Sequence, residues 1–116
     1  MGFLKRLFGS KESASRPQEA VLVHLNGTSL PAETYEECDL STIEDRLIAA
    51  IEKDRLGEFD GNESGPEETI LCMYGPDAER LFSGIEATLR DYPLCAGARV
   101  VIRKGGPGAP EREVRL

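Results

Sequence analysis

The sequence has little of what metal and disulfide sites need. It contains one histidine, three cysteines and no tryptophan. Cys38, Cys72 and Cys95 are an odd number of thiols at wide spacing, which gives neither a disulfide framework nor a metal knuckle. His24 has no second ligand at suitable spacing, so it cannot form a metal site alone. We therefore predict reduced thiols, typical of a cytoplasmic protein, and neither a metal ion nor another cofactor.

Long apolar runs are also absent. No stretch approaches the roughly 18 apolar residues of a membrane span, and Lys5 and Arg6 interrupt the apolar residues that a signal peptide would need. The N-terminus is instead a short basic amphipathic segment. We expect it to be flexible or to dock on the domain, with at most weak contact to a membrane surface. The apolar side chains available for that contact are Phe3, Leu4, Leu7 and Phe8.

Positive charge is scarce in the middle of the chain. The net charge of −7 and the pI near 4.8 argue against nucleic-acid binding, because phosphate contacts need a basic surface. The negative charge is concentrated in residues 33–68, where 13 acidic side chains meet 3 basic ones, whereas residues 69–116 are close to neutral. A block of like charge says more about partners than about the fold.

The hydrophobic pattern predicts one domain over residues 19–116, preceded by a basic, flexible leader over residues 1–18. Residues 28–39 show no clear period and are expected to be a loop. Four strands are expected, and a short fifth strand at the C-terminus is an open alternative. These segments cover residues 20–25, 56–61, 69–74 and 98–104, with the fifth over 113–116.

Two amphipathic helices are expected between the strands. The first spans residues 41–55 and opens with the capping-box spacing of Ser41 and Glu44. The second opens with Pro76 at its first position and closes at Tyr92-Pro93. The order of the elements is strand, helix, strand, strand, helix, strand. This order most simply gives an α+β, ferredoxin-like split βαβ (βαββαβ) sandwich.

In that architecture the helices cover one face of the sheet, and the other face is the open sheet face. The strands alternate incompletely, so the open sheet face keeps large apolar side chains. Such a patch indicates a dimer interface, a ligand site, cover by the chain's own termini, or ordinary exposed apolar residues. Cys72, in contrast, is expected in the core. The residues predicted on the open sheet face are Leu22, His24, Val101 and Arg103.

Three features of the sequence suggest a chemical site, two of them in the acidic block and one at His24. Residues 60–65 match the start of an EF-hand loop, but Leu71 stands where a bidentate glutamate is required, so a turn over residues 62–66 is favoured. Glu58 and Asp60 share a strand face, as paired catalytic carboxylates do, but acids crowd this segment and a solvated edge is favoured. No nucleophile can be matched to His24 as a base. We therefore predict no catalytic residue and no enzyme activity.

Two short motifs resemble a known pattern. Phe59-Asp60-Gly61-x-Glu63-x-Gly65, followed by Met73-Tyr74-Gly75-Pro76-Asp77-Ala78-Glu79, resembles a pattern in small bacterial proteins of uncharacterised function. The likeness spans roughly residues 40–104 and consists of turn and cap residues. It implies the same fold and a bacterial, cytosolic origin, and it carries over no functional residues.

The function predicted from these features is a non-enzymatic cytosolic binding or regulatory domain. It presents the acidic helix 41–55 and the hairpin edge 56–68 to a basic protein, mainly through long-range attraction. The alternative is a small-ligand-binding or homodimeric module that uses the open sheet face. The predicted partner contacts are Glu44, Asp45, Glu52, Glu58, Asp60 and Glu63.

Overall fold

A five-stranded antiparallel sheet and three α-helices form the protein in a computed structural model that describes residues 19–26, 30–65 and 68–116. The predicted leader, with Phe3, Leu4, Leu7 and Phe8, lies outside the described residues. The strands are β1 (Glu19–Asn26), β2 (Glu58–Ser64), β3 (Glu68–Gly75), β4 (Arg99–Arg103) and β5 (Glu111–Arg115). The helices are α1 (Ala32–Glu37), α2 (Leu40–Asp54) and α3 (Ala78–Asp91), and a 3-10 helix spans Pro93–Cys95.

The sheet has the strand order β2-β3-β1-β4-β5, and every neighbouring pair is antiparallel. The central strand, β1, connects through α1 and α2 to the β2 edge, and β3 connects through α3 to β4. The predicted α+β class with an antiparallel sheet is therefore confirmed. The described chain has one helix and one strand more than the predicted six-element pattern.

The core lies between the sheet and the two long helices. Successive residues of a strand point to opposite faces, so β1 sends Val21, Val23 and Leu25 toward the helices. Each fully buried aliphatic side chain of this kind contributes roughly 1.5–3 kcal/mol. The residues that meet these three from the other elements include Ile43, Leu47, Ile51, Leu71, Met73, Leu81, Ile85, Leu89, Val100 and Ile102.

The predicted capping box of α2 is wrong. The N-cap is Asp39, which accepts a hydrogen bond from the Thr42 hydroxyl at 3.2 Å and makes no side-chain bond to the helix backbone. Ser41 lies inside the helix, and the carboxylate of Glu44 binds Asn62 of β2 instead. A contact with a strand distant in sequence therefore replaces the local one.

The loop predicted over residues 28–39 is wrong in part, because α1 occupies Ala32–Glu37. No residue of α1 is buried, so the sequence shows no apolar period that would reveal it. Tyr35 fixes this segment through its hydroxyl, which donates to the Asn26 carbonyl at 2.9 Å and accepts from the Leu30 amide at 3.0 Å.

The helix α3 begins two residues later than predicted, because Pro76 precedes the N-cap instead of opening the helix. The N-cap is Asp77, whose side chain accepts from the Arg80 amide at 3.1 Å. The carboxylate of Glu19 in β1 accepts from the Ala78 amide at 2.8 Å. Two carboxylates therefore satisfy amides at this helix start. The predicted end of the helix at Tyr92 is confirmed.

The chain passes close to itself where α2 leads into β2. Gly57 has a φ of 151°, and a Cβ there would lie 2.0 Å from the Tyr74 carbonyl oxygen and 2.8 Å from the Gly75 Cα. Both neighbours are backbone atoms at the end of β3, so they cannot move aside as a flexible side chain would. Only glycine fits this position.

Gly57→Ala is expected to lower the free energy of unfolding by about 2 kcal/mol or more, because backbone strain and a backbone clash coincide. Gly106→Ala is the matched control, since a Cβ there would meet no atom within 4 Å. Urea denaturation followed by circular dichroism measures both. Equal stability of the two variants would contradict the close crossing.

The edge strand β5 is tied to α3 by an ion pair. Arg112 donates from Nε and Nη2 to the two carboxylate oxygens of Glu79, each at 2.6 Å, and the Lys104 Nζ lies 3.6 Å from the same carboxylate. The hydrogen bonds from Arg112 lower the pKa of Glu79 from its usual 4.5 to about 2. β5 is therefore held on two sides. The ion pair ties it to α3, and backbone pairing ties it to β4.

Glu79→Gln is expected to reduce stability at neutral pH and to flatten its dependence on acid. A depressed folded-state pKa adds stability above pH 4.5, which is lost as the pH falls from 4.5 toward about 2. Thermal melts of the wild type and the variant across this range measure the effect. Glu111→Gln, a change of the same type on β5, where Arg112 lies, is the control. If the stability of Glu79→Gln depended on pH as steeply as that of the wild type, the role of this ion pair would be contradicted.

Candidate functional site

The helix α2 carries its basic side chains on the side that faces α3. Arg46 and Lys53 line the shallow groove between the two helices, opposite Asp91. Arg46 also lies over the ring of Tyr92, 5.2 Å from its centroid, which is a cation–π distance. The basic residues of this helix are therefore engaged with α3 and the residues that follow it.

The acidic side chains of α2 lie outside this groove, and one of them, Glu44, reaches the edge strand β2. Residues advance by about 100° along a helix, which places Glu44, Asp45 and Glu52 away from the groove. The bond from Asn62 to Glu44 shows that the Glu44 position faces β2. Asp45 and Glu52 are exposed, and within the described ranges neither forms an ion pair.

The strand β2 adds its carboxylates from the open sheet face. Glu58 is paired with Tyr74 and Glu63 with Ile70, so both lie on the face opposite the helices. A bulge between Phe59 and Gly61 inserts Asp60 as an extra residue. Glu44, Glu58, Asp60 and Glu63 thus lie on or beside β2, whereas Asp45 and Glu52 are exposed on α2. We call these residues, Glu44, Asp45, Glu52, Glu58, Asp60 and Glu63, the acidic edge.

Other acids of the same sequence block lie elsewhere. The short helix α1 contacts the 3-10 helix after α3, and its glutamates are exposed there. The block over residues 33–68 is therefore divided between two regions of the surface. The glutamates of α1 are Glu33, Glu36 and Glu37.

The segment Asp60–Gly65 is mostly extended, which corrects the predicted turn. Asn62 pairs with Leu71 and Ser64 with Thr69, so β2 continues through residues expected to form the turn. Cross-strand pairing overrides the local turn preference of these polar residues. Within the described part of the chain, no group of three or more His, Cys, Asp and Glu side chains is placed to hold a metal ion.

Strand register arranges the open sheet face in three rows. The middle row, from β2 to β5, is Gly61, Cys72, Leu22, Val101 and Glu113. The row toward the end of β1 is Glu63, Ile70, His24, Arg99 and Arg115, and the row toward its start is Glu58, Tyr74, Ala20, Arg103 and Glu111. All four residues predicted on this face therefore lie there. Apolar side chains occupy its centre, with acids along β2, arginines along β4, and both Glu111 and Glu113 beside Arg115 along β5.

His24 is engaged by neighbours on both sides. Its Nδ1 lies 3.2 Å from Nη2 of Arg99 and 3.4 Å from Oε2 of Glu68, and its side chain is 15% exposed. A guanidinium can only donate, so Nδ1 accepts from Arg99 when the ring is neutral. With Arg115, these residues line an open, polar cavity of about 210 Å³. The geometry holds the imidazole in place as part of the sheet surface.

Cys72 is the residue whose position the sequence reasoning missed. It is buried, with 7% exposure, but it lies at the centre of the open sheet face instead of between sheet and helices. Burial, followed by the negative charges of Glu63 and Asp60, raises the pKa of its thiol to about 11. Cys72 is paired with Leu22 across β1 and β3, so the two side chains lie on the same sheet face. This pairing places Cys72, but it cannot be read from the sequence until the register of the strands is known.

Comparison with known proteins adds no relative: no family model, curated protein or solved structure matches the chain. The resemblance to small bacterial proteins stays a prediction. Of the helices in the described ranges, none combines the length and the apolar character that a membrane crossing requires.

Glu63→Gln is expected to increase the rate at which iodoacetamide alkylates Cys72 at mildly alkaline pH. Removing the nearby negative charge lowers the pKa of the thiol and raises the thiolate fraction. Glu52→Gln, on the helix side of β2, is the control and should leave the rate unchanged. Peptide mass spectrometry at Cys72 gives both rates. Equal rates for the two variants would contradict the placement of Glu63 on the face of Cys72.

Proposed function

We propose that this protein is a non-enzymatic binding domain whose acidic edge docks a basic protein. The observation that supports this most strongly is the separation of charge on α2. Its basic side chains face α3, while Asp45 and Glu52 on its other side form no ion pair within the described ranges. Carboxylates without an internal cation are available to a partner.

Several acids in the second half of the chain form internal ion pairs. Glu79 is paired with Arg112 and Lys104, and Glu86 with Arg90. Glu113 lies close to two arginines, Arg99 at 3.6 Å and Arg115 at 3.4 Å. These ion pairs engage acids of α3 and β5, whereas Asp45 and Glu52 of α2 form none within the described ranges.

An apolar residue lies within the helical part of the acidic edge. Ile48 falls between Glu44 and Glu52 at four-residue spacing, which places the three on one side of α2. It is half-buried, so part of its surface is open to a partner. A partner with lysines or arginines around a small apolar contact fits this arrangement. Each exposed charge pair contributes only about 0–1 kcal/mol, so the charges act mainly on the association rate.

We further propose a cytosolic location and a ferredoxin-like core. The three free thiols, Cys38, Cys72 and Cys95, support a reducing compartment. Two interleaved units, from β1 through α2 to β2 and from β3 through α3 to β4, support the ferredoxin-like arrangement. In this proposal β5 and α1 are additions to that core.

Titration of the isotope-labelled full chain with a short oligolysine peptide tests the acidic edge. Amide shifts are expected along α2 and β2, and added salt should reduce them because it screens exposed charges. Neutralising four edge carboxylates should weaken binding about tenfold, since four pairs at about 0.3–0.5 kcal/mol each approach 1.4 kcal/mol. The edge variant combines Asp45→Asn, Glu52→Gln, Glu58→Gln and Glu63→Gln.

A control variant with the same change in net charge separates the edge from bulk charge. It combines Glu33→Gln, Glu36→Gln, Glu37→Gln and Glu111→Gln, and it should keep most of the affinity. Equal weakening by both variants would contradict a localised site. Affinity capture from a bacterial lysate at low salt then uses the same pair of variants. A natural partner should be retained by the control and lost by the edge variant.

A further inference from the structure

The open sheet face has three large apolar side chains that remain partly exposed beside β2. Leu22, Ile70 and Tyr74 are half-buried, and none of them belongs to the core between sheet and helices. Cys72 lies among them on the same face and is buried. We call Leu22, Ile70 and Tyr74 the apolar strip. The two long helices pack on the other face, so cover for the apolar strip must come from outside the helix layer.

Carboxylates border the apolar strip along β2. Glu58 is paired with Tyr74 and Glu63 with Ile70, and both glutamates are exposed. Neither forms an ion pair within the described ranges. Between them lies Gly61, which has no side chain to close the face at its edge. An occupant that suits this surface combines large apolar side chains with basic ones.

The same chain contains such a segment ahead of the domain. Its first nine residues place Lys5 and Arg6 between two apolar pairs, Phe3-Leu4 and Leu7-Phe8. Residues 1–16 carry four basic side chains against one acidic one, the opposite sign to the β2 border. We call residues 1–9 the N-terminal segment and Lys5 with Arg6 its basic pair. The segment lies outside the described residues, and its sequence supplies both kinds of side chain that the surface needs.

The leader joins the sheet close to the apolar strip. Glu19, the first residue of β1, is paired with Gly75, and Ala20 is paired with Tyr74. Because β1 is the central strand, the leader enters at the middle of the sheet. The face measures about 24 Å across its five strands and about 17 Å along them. Residues 10–18 can span about 30 Å, so the N-terminal segment can reach any part of the face.

We propose that the N-terminal segment packs on the open sheet face. Its apolar side chains cover the apolar strip, and its basic pair lies toward Glu58 and Glu63. The face offers a footprint of about 400 Å², half of the roughly 800 Å² that each partner of a standard interface buries. This area suits a tethered segment better than a separate folded partner. A short tether gives an effective concentration of about millimolar, so weak contacts are enough to hold the segment.

Docking of this kind would also regulate the acidic edge. Glu58 and Glu63 belong to both surfaces, so the basic pair competes in cis with a basic partner. This competition rests on the proposed function, whereas the docking itself does not. Asp45 and Glu52 are exposed on α2 and remain open to a partner. A partner that also engages β2 must displace the N-terminal segment first.

Alkylation of Cys72 by iodoacetamide in the full chain tests the docking. Phe3→Ser combined with Leu7→Ser should raise the rate severalfold, because undocking opens the face around the thiol. Ser10→Ala combined with Ser13→Ala is the control and should leave the rate unchanged. The rate at Cys95, which is buried in the core, reports global opening in the same sample. Equal rates at Cys72 in the wild type and in the apolar variant would overturn the proposal.

Zero-length cross-linking with a carbodiimide tests the position of the basic pair. It should join Lys5 to Glu58 or Glu63 within one molecule, and peptide mass spectrometry identifies the bond. The three exposed glutamates of α1 are the control, since they lie in another region of the surface. Equal linkage of Lys5 to α1 would overturn the proposal. Links to β2 found only between molecules would also overturn it, because they would make a second copy the occupant.

Titration with oligolysine separates this inference from the proposed function. Lys5→Glu combined with Arg6→Glu should bind oligolysine more tightly than Lys11→Glu combined with Arg16→Glu. The second variant changes the net charge equally but keeps the basic pair. Equal affinities would contradict the competition, although the acidic edge would stand. Absence of binding by both variants, with Cys72 protected in the wild type, would refute the proposed function and support the docking.

Discussion

Coverage of one sheet face by two helices is the constraint on which the rest of the structure depends. Once Val21, Val23 and Leu25 point into the core, their neighbours along β1 must lie on the other face. The register then carries this division to every strand and fixes both the apolar centre and the charged sides of the open sheet face. The close passage at Gly57 brings the end of α2 down to β2 and places the helix beside the edge strand.

The same geometry determines where the charged side chains of α2 lie. Arg46 and Lys53 face α3, and Glu44 on α2 is bonded to Asn62 of β2. Part of the negative block of the sequence therefore lies around β2, although α1 carries some of its acids to another region of the surface. The sheet contributes a second surface, the open sheet face, whose centre holds Leu22, Cys72 and Val101.

Periodic features of the sequence could be predicted, and features that depend on distant contacts could not. The stripes of α2 and α3 and the apolar strands predict the α+β class because each buries one side. The helix α1 buries nothing, so its six residues leave no pattern. Glu44 has the spacing of a cap but binds Asn62, eighteen residues away in sequence. Asp60 is displaced by a bulge that strict alternation does not show, and Cys72 needed the β1–β3 register before its face was known.

The account's central claim is that negative potential is concentrated along α2 and β2. Solvent paramagnetic relaxation with matched cationic and anionic nitroxides measures the potential near each backbone amide without any partner. The account predicts a more negative potential at the amides of Asp45, Glu52 and Glu63 than at those of Ala50 and Thr88 in the groove between the helices. Equal potentials on the two sides of α2 would contradict it.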